Sequence, residues 1–166
     1  LSATFREYVG DDEEKIQLAI KKYREYYVDQ GGMLENEVYE GVEETLKEMK
    51  NRGKKIILAS SKPMVFCEKI LQHFKLDKYF DFIGGSNLDE TRCKKVEVIT
   101  YSLENIGEVP GANVLMVGDR EYDILGAKEL GIDSVGVLFG YGDKEELENA
   151  GATYIIEKMT DILEIV

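Results

Sequence analysis

Residues 113–123 constrain the fold more than any other stretch of the chain. They begin with the apolar segment 114–117, which is short, uninterrupted and flanked by β-branched valines. Such a segment predicts a central strand that is covered on both faces. A glycine and then Asp119 follow, so this carboxylate stands at the carboxyl end of the strand, where open α/β sheets bind their ligands. Asp123 comes next, at the first turn of the helix that the pattern predicts.

Asp119 and Asp123 are close enough in sequence to share a cation. Mg²⁺ usually takes one or two protein carboxylates and fills its other positions with water or phosphate oxygen. An aspartate that follows a strand is also a common helix N-cap, which is the simpler interpretation of either residue. Two carboxylates at this spacing favour a metal site, and we therefore predict Mg²⁺ with Asp119 and Asp123 as its ligands.

The composition indicates one globular domain, or one domain with a small appendage. The chain has 166 residues, of which 43% are apolar. Its net charge of −12 repels phosphate backbones, so we expect neither nucleic acid nor an anionic membrane as a partner. A small phosphorylated substrate remains compatible with this charge if a cation and local lysines reverse the field in one cleft.

The cysteines and the hydropathy pattern bear on the cellular compartment. Cys67 and Cys93 are not in Cys-x-x-Cys spacing, and Cys67 lies among apolar residues of a predicted helix. This context predicts a buried free thiol and a reducing compartment. No apolar stretch is long enough to cross a bilayer, and no signal peptide opens the sequence. We expect a soluble cytoplasmic protein.

From residue 39 onward, strand and helix patterns alternate. The predicted strands are 54–59, 80–85, 114–117, 134–138 and 154–156. The predicted helices are 42–50, 63–74, 95–106, 123–130, 143–150 and 160–165. Alternation of this kind predicts βαβ units and an α/β fold, a Rossmann-like parallel sheet with helices on both faces.

Residues 1–38 follow a different pattern, without strands. Residues 11–14 supply an N-cap and an acidic first turn, which the helix dipole favours. The predicted helix runs towards Asp29, and two glycines end it. Its apolar stripe consists of Ile16, Ala19, Ile20, Tyr23 and Tyr27. The sequence thus predicts a helical pair, or part of a helical bundle, ahead of the α/β unit 39–166.

Polar groups follow several of the predicted strands. Because the carboxyl ends of parallel strands lie on one edge of a sheet, Ser60 and Asp119 are predicted to line one crevice. Ser60 would offer a hydroxyl at a helix N-terminus, which suits a phosphate oxygen, and a plain N-cap is compatible with the same position. The glycines of residues 139–142 predict a turn or mobile loop near this edge.

Lys94 and Lys95 open a predicted helix, where the dipole disfavours a cation. This placement indicates a compensating carboxylate or substrate phosphate, and a solvated lysine pair is the alternative. His73, the only histidine, lies on a helix away from the predicted strand ends. We therefore do not expect it to act as a general base.

The order and spacing of these residues resemble the haloacid dehalogenase (HAD) superfamily. The segments that carry the likeness are 56–63, Lys95 with 97–99, and 117–119 with Asp123. Residues 75–81 and 126–131 resemble the phosphoglycolate phosphatase-like branch of that superfamily. The likeness extends over residues 39–166, and the leading helices are similar to the end of the helical cap of that branch.

The resemblance implies Mg²⁺-dependent hydrolysis of a small phosphorylated metabolite, of the phosphoglycolate or nucleoside monophosphate class. By resemblance, Ser60 would hydrogen-bond the transferring phosphoryl group and Lys95 would offset negative charge. Asp119 would bind Mg²⁺, with Asp123 assisting directly or through water. Whether Lys94 or Lys95 is the site lysine stays open, as does the oligomeric state.

The family's first motif is an Asp-x-Asp pair on a central strand, and it has no counterpart in residues 1–166. The resemblance places that strand between those ending at Ala59 and Gly118 and makes its aspartate the nucleophile. We therefore expect residues 1–38 to be a remnant of the cap, and 39–166 to be a core without this strand. We expect the chain alone to be inactive. Two alternatives are a non-catalytic phosphate- and Mg²⁺-binding module and a receiver-like signalling domain.

Overall fold

The computed structural model describes residues 2–89 and 91–166 and divides the chain into two compact units, 1–37 and 38–166. The first unit contains helices α1 (Ser2–Val9) and α2 (Glu13–Arg24). A π-helical segment, Glu25–Asp29, continues α2, and a 3₁₀ turn, Gly32–Leu34, follows. No helix among the described residues is long and apolar enough to cross a membrane.

Helix α2 begins and packs as its sequence predicts. The Asp12 carboxylate accepts a hydrogen bond at 3.2 Å from the backbone N–H three residues later. Ile16 and Ile20 are buried, and the rings of Tyr23 and Tyr27 stack with their centroids 5.1 Å apart. The apolar stripe is therefore confirmed as a packing surface within this unit.

The second unit alternates helices and strands. Its helices are α3 (Val42–Asn51), α4 (Met64–His73), α5 (Lys95–Asn105), α6 (Glu121–Glu129) and α7 (Lys144–Ala150). Its strands are β1 (Ile57–Pro63), β2 (Phe82–Ser86), β3 (Leu115–Gly118), β4 (Asp133–Val137) and β5 (Tyr154–Ile156). Short 3₁₀ segments occur at Asp77–Tyr79 and at Met159–Glu164, the latter where the sequence predicted an α-helix. The α/β class with parallel strands is confirmed.

The described strands form two parallel sheets rather than one. β1 pairs with β2 in the first sheet, and the second has the order β3-β4-β5. Within the described part of the chain, β1 and β3 each keep one edge that no strand covers. All residues of β3 are half-buried. Met116 packs against the core cluster that contains Ile99, and Leu115 and Val117 pack against the cluster that contains Val135, so the prediction of a strand covered on both faces is confirmed. Among the described strands, however, β3 lies at an edge and not in the centre of a sheet. The uncovered edge gives solvent access to a strand whose composition suits a sheet interior.

A shared layer of helices joins the two sheets. Helix α5 packs against β1, β2 and α6, while α6 packs against β3 and β4. Their buried side chains form one core cluster, completed by half-buried residues from both sheets. The cluster consists of Ile99, Leu103, Ala127 and Ile132, with Ile57, Ala59, Val114, Met116 and Leu130 packed against it. The helices therefore fix the carboxyl ends of β1 and β3 relative to each other.

Strand β1 continues beyond the predicted boundary. The sequence pattern ended this strand at Ala59 and began a helix at Pro63, whereas the strand runs to Pro63 and α4 begins at Met64. The register with β2 is irregular between Ser60 and Pro63. Ser60 is thus a strand residue, and the prediction that it sits at a helix N-terminus is wrong.

Asp81 ties the beginnings of β1 and β2 together. Its carboxylate accepts hydrogen bonds from Lys50 Nζ at 2.7 and 2.8 Å and from the Ile56 N–H at 2.7 Å. Its own N–H donates to the Ile56 carbonyl at 2.7 Å. The hydrogen bond from Lys50 holds the pKa of Asp81 below its ordinary value.

We expect Asp81→Asn to lower the free energy of unfolding by about 1 kcal/mol at neutral pH, because it removes the charge-assisted bond. The folded-state pKa of Asp81 is depressed, so the contribution is complete above the unfolded carboxyl pKa of about 3.9. It is lost as the pH falls through the lower folded-state value. Urea unfolding of wild type and variant at several pH values measures this difference, which should shrink in acid. Glu157→Ala, at an exposed carboxylate, is the control, and an equal loss there would contradict the assignment.

Candidate active site at the strand ends

Asp123 organises the turn between β3 and α6. Its Oδ2 accepts hydrogen bonds from the backbone N–H groups of Asp119 at 3.2 Å and Arg120 at 3.1 Å, which closes the first turn of the helix. A Cβ on Gly118 would overlap the Asp123 carboxylate. This close approach is the reason that position 118 requires glycine. The backbone conformation is not, because the φ of Gly118 is not positive.

Lys95 completes the partners of Asp123. Its Nζ lies 2.7 Å from Asp123 Oδ1, and the two side chains are only 14% and 9% exposed. The same ammonium donates to the Ala59 carbonyl at 2.9 Å. The Lys95 stem crosses α6 at Gly126, where a Cβ would come within 2.9 Å of Lys95 Cγ. One side chain of α5 thereby joins β1 to the first turn of α6.

The structure distinguishes the two lysines that the sequence left open. Lys94 is exposed at the N-cap position of α5, whereas Lys95 is half-buried in the ion pair. A lysine at a helix N-terminus is disfavoured by the helix dipole, and the carboxylate that compensates Lys95 is that of Asp123. His73 lies exposed at the end of α4, with its ring edge-to-face against Phe74 at 4.8 Å.

The loop that follows β4 binds Asp119 at its side chain and at its backbone. Its Oδ2 accepts a hydrogen bond from the Tyr141 N–H at 2.9 Å, and its backbone carbonyl accepts one from the Gly142 N–H at 2.9 Å. Its Oδ1 accepts no hydrogen bond from any residue that the structure describes. Asp119 therefore presents one fixed and one available carboxylate oxygen.

Ser60 stands beside Ala59, the residue whose carbonyl binds Lys95. Its Oγ accepts a hydrogen bond from the Lys62 N–H at 3.2 Å. Next to it, the Cys67 thiol is buried and free, as predicted, and donates to the Lys62 carbonyl at 3.7 Å. Burial raises the pKa of this thiol, and the neighbouring Ser60 side chain opposes the rise.

These contacts connect the predicted residues Asp119, Asp123 and Lys95 and reach Ala59, the neighbour of Ser60. A continuous path runs from the Asp119 N–H through the Asp123 carboxylate and the Lys95 ammonium to the Ala59 carbonyl, and Ser60 follows directly. The described residues contain no cluster of three or more His, Cys, Asp or Glu side chains arranged to hold a metal. Asp119, with a free oxygen, fits a Mg²⁺ ligand. Asp123 fits less well, because its Oδ1 is engaged by Lys95 and its Oδ2 by two backbone amides.

Sequence reasoning missed the contribution of α7. Glu146 Oε1 accepts hydrogen bonds from Arg120 Nε and from the Glu121 N–H, both at 2.8 Å. The bond from Arg120 lowers the pKa of Glu146, which stays charged. Asp143 caps α7, as predicted, by accepting from the Glu146 N–H at 2.8 Å.

Comparison with known proteins agrees with the architecture. The family model of haloacid dehalogenase-like hydrolases matches residues 1–137. The chain belongs to this family. A 5'-nucleotidase of Pseudomonas aeruginosa is 39% identical over 86% of the chain and 64% of its own length. A phosphoglycolate phosphatase of Vibrio parahaemolyticus is 31% identical over 87% of the chain and 62% of its own length.

Solved structures show the same fold. A predicted phosphatase from Clostridium acetobutylicum superposes with a TM-score of 0.91 and 43% identity, covering 99% of this chain and 76% of that one. The resemblance to haloacid dehalogenase hydrolases that the motifs indicated is therefore confirmed. The chain spans less than two thirds of the length of the two curated relatives named above.

We expect the Lys95–Asp123 pair to be strongly coupled. Asp123→Asn should lower the free energy of unfolding by about 3 kcal/mol, since it leaves a buried ammonium without its counter-ion. The double variant with Lys95→Met should lose at least about 1 kcal/mol less than the sum of the single variants. Denaturant unfolding of the four proteins measures the coupling. The exposed Lys144–Glu148 pair is the matched control and should show almost no coupling. Additive losses at Lys95 and Asp123 would contradict the assignment.

Proposed function

We propose that this chain is the phosphate- and Mg²⁺-holding part of a phosphomonoesterase that acts on a small phosphorylated metabolite. The observation that carries the proposal is the available Oδ1 of Asp119 at the edge where Lys95 and Ser60 also lie. A carboxylate oxygen after β3, an ammonium at the start of α5 and a hydroxyl on β1 are the groups that a phosphoryl centre needs.

Each residue takes one role in this proposal. Asp119 would hold Mg²⁺, which supplies charge stabilisation to the phosphoryl oxygens when bound. Lys95 lies between β1 and α6 and offsets negative charge at the site. The Ser60 hydroxyl, whose Oγ accepts from the Lys62 N–H and which neighbours the Cys67 thiol, would turn its hydrogen to a phosphoryl oxygen. Asp123 positions Lys95 and the Asp119 backbone and would assist the cation through water.

The nucleophile of the proposed reaction is an aspartate on a strand that lies between β1 and β3. Each of these strands has one edge that no described strand covers, and buried backbone groups need hydrogen-bond partners. The named relatives are longer than this chain, which agrees with an additional element. In this scheme the carboxylate attacks phosphorus and the P–O ester bond breaks, so that the leaving oxygen takes a proton from water and departs as the alcohol. Water then attacks the aspartyl-phosphate, which releases phosphate and restores the carboxylate. Residues 1–166 by themselves would not hydrolyse the substrate.

The substrate class follows from charge and from the relatives. The net charge of −12 disfavours phosphate polymers, while one Mg²⁺ and one lysine suffice for a single phosphoryl group. The relatives named above are a 5'-nucleotidase and a phosphoglycolate phosphatase. We propose a phosphomonoester of the nucleoside monophosphate or phosphoglycolate class.

Phosphate release from a panel of such esters tests the proposal. It is measured for residues 1–166 and for a version extended by the coding sequence upstream of Leu1. We expect Mg²⁺-dependent release from the extended protein alone. Equal activity in both versions would refute the assignment of the nucleophile. Binding of phosphate and Mg²⁺ without turnover in either version would instead identify a binding module.

Asp119→Asn in the active version should lower kcat/KM by about 100-fold or more, because the amide is a poor Mg²⁺ ligand. Asp and Asn are nearly equal in size, so the fold should be retained. Glu157→Ala should leave kcat/KM unchanged, as this exposed residue lies on the β5 side of the unit. Steady-state kinetics across a Mg²⁺ series, with circular dichroism, measures both variants. If Asp119→Asn kept the Mg²⁺ dependence of the wild type, Asp119 would not be a metal ligand.

A further inference from the structure

The loop of residues 139–142 contacts Asp119 at two separate acceptors. The Tyr141 N–H binds the side-chain Oδ2, and the Gly142 N–H binds the backbone carbonyl, both at 2.9 Å. Two adjacent amides thus fix the position and the rotation of a single aspartate. The mobile loop that the sequence allowed here is instead bonded to the centre of the candidate site.

Steric fit explains the two glycines in this loop. A Cβ on Gly140 would overlap the Cβ and carboxylate of Asp119, and a Cβ on Gly142 would overlap its carbonyl oxygen. Neither glycine has a positive φ, so the backbone conformation itself would accept another residue. The small size of both residues is needed for the approach to Asp119 and not for the turn.

The loop is anchored at both ends. On the β4 side, Leu138 N–H donates to the Ile156 carbonyl at 3.0 Å, and Phe139 packs edge-to-face with Tyr39 at 5.3 Å. On the other side, Asp143 caps α7. Because both ends of the loop are fixed, the loop restricts the movement of Asp119, the residue that it binds.

We propose that residues 139–142 are a clamp that orients Asp119 so that its Oδ1 faces a divalent cation. Gly140 and Gly142 are then positioning residues, and the affinity for the metal depends on their lack of a side chain. This inference rests on the proposed function for the identity of the ligand, but the clamp itself is defined by hydrogen bonds that can be measured without metal. Loss of a hydrogen bond that orients a metal ligand typically lowers the affinity for the metal by about 10- to 100-fold.

The first experiment follows amide hydrogen exchange by NMR in the metal-free chain. Asp119→Ala should speed exchange of the Tyr141 amide about tenfold or more, since its acceptor is lost. The Gly142 amide, bonded to the backbone carbonyl, should stay protected, and Asp119→Asn should restore protection at Tyr141. Unchanged exchange of the Tyr141 amide in Asp119→Ala would overturn the clamp.

The second experiment measures binding of Mn²⁺, as a spectroscopic substitute for Mg²⁺, by electron paramagnetic resonance. Gly140→Ala and Gly142→Ala should each raise the Kd for Mn²⁺ by about tenfold or more. Gly111→Ala is the matched control, because its Cβ meets no atom within 4 Å and its φ is not positive. Thermal unfolding confirms that each variant folds.

The two experiments separate the possible failures. Wild-type Mn²⁺ affinity in Gly140→Ala and Gly142→Ala would overturn the role of the clamp in metal binding. Absence of Mn²⁺ binding by the wild-type chain would count against the metal ligand of the proposed function and would overturn the metal part of this inference. The exchange data would still decide whether the loop holds Asp119.

Discussion

The ion pair between Lys95 and Asp123 is the contact on which the rest of the site depends. Two side chains with little exposure lose most of their hydration, and the 2.7 Å contact offsets that cost only because each group has further partners. Lys95 also binds the Ala59 carbonyl, and Asp123 also binds two amides of the β3–α6 turn. A hydrophobic pair of similar volume would pack at comparable stability, but it could not join the ends of two separate sheets in one defined geometry.

That connection matters because the sheets do not pair with each other in the described chain. The uncovered edges of β1 and β3 carry backbone groups that a sheet interior would satisfy, yet α5 and α6 already hold both strands on one core cluster. A site at this edge agrees with the parallel topology, in which β1 contributes Ser60, the start of α5 contributes Lys95 and the turn after β3 contributes Asp119.

Much of this could be predicted from the sequence, and the failures have physical causes. Alternating patterns located all five described strands to within a few residues, and the Asp143 cap and β5 were exact. Local patterns could not show that β1 extends past Ser60, because a bulge depends on its partner strand. They could not show which of Lys94 and Lys95 forms an ion pair either, because the partner, Asp123, lies on another helix. The loop contacts of Asp119 were beyond reach for the same reason: hydrogen bonds from Tyr141 and Gly142 depend on how β3 and β4 pair.

Asp119 and Asp123 also show how the surroundings assign different tasks to the same side chain. Asp123 has both oxygens engaged, by one ammonium and two amides, so binding a cation directly would require one of these contacts to break. Asp119 has one oxygen held by Tyr141 and one available. A hard cation that keeps most of its water needs few protein ligands, but it needs them in a fixed direction. The carboxylate with a single held oxygen meets that requirement, whereas the saturated one serves better as the support that keeps the lysine and the turn in place.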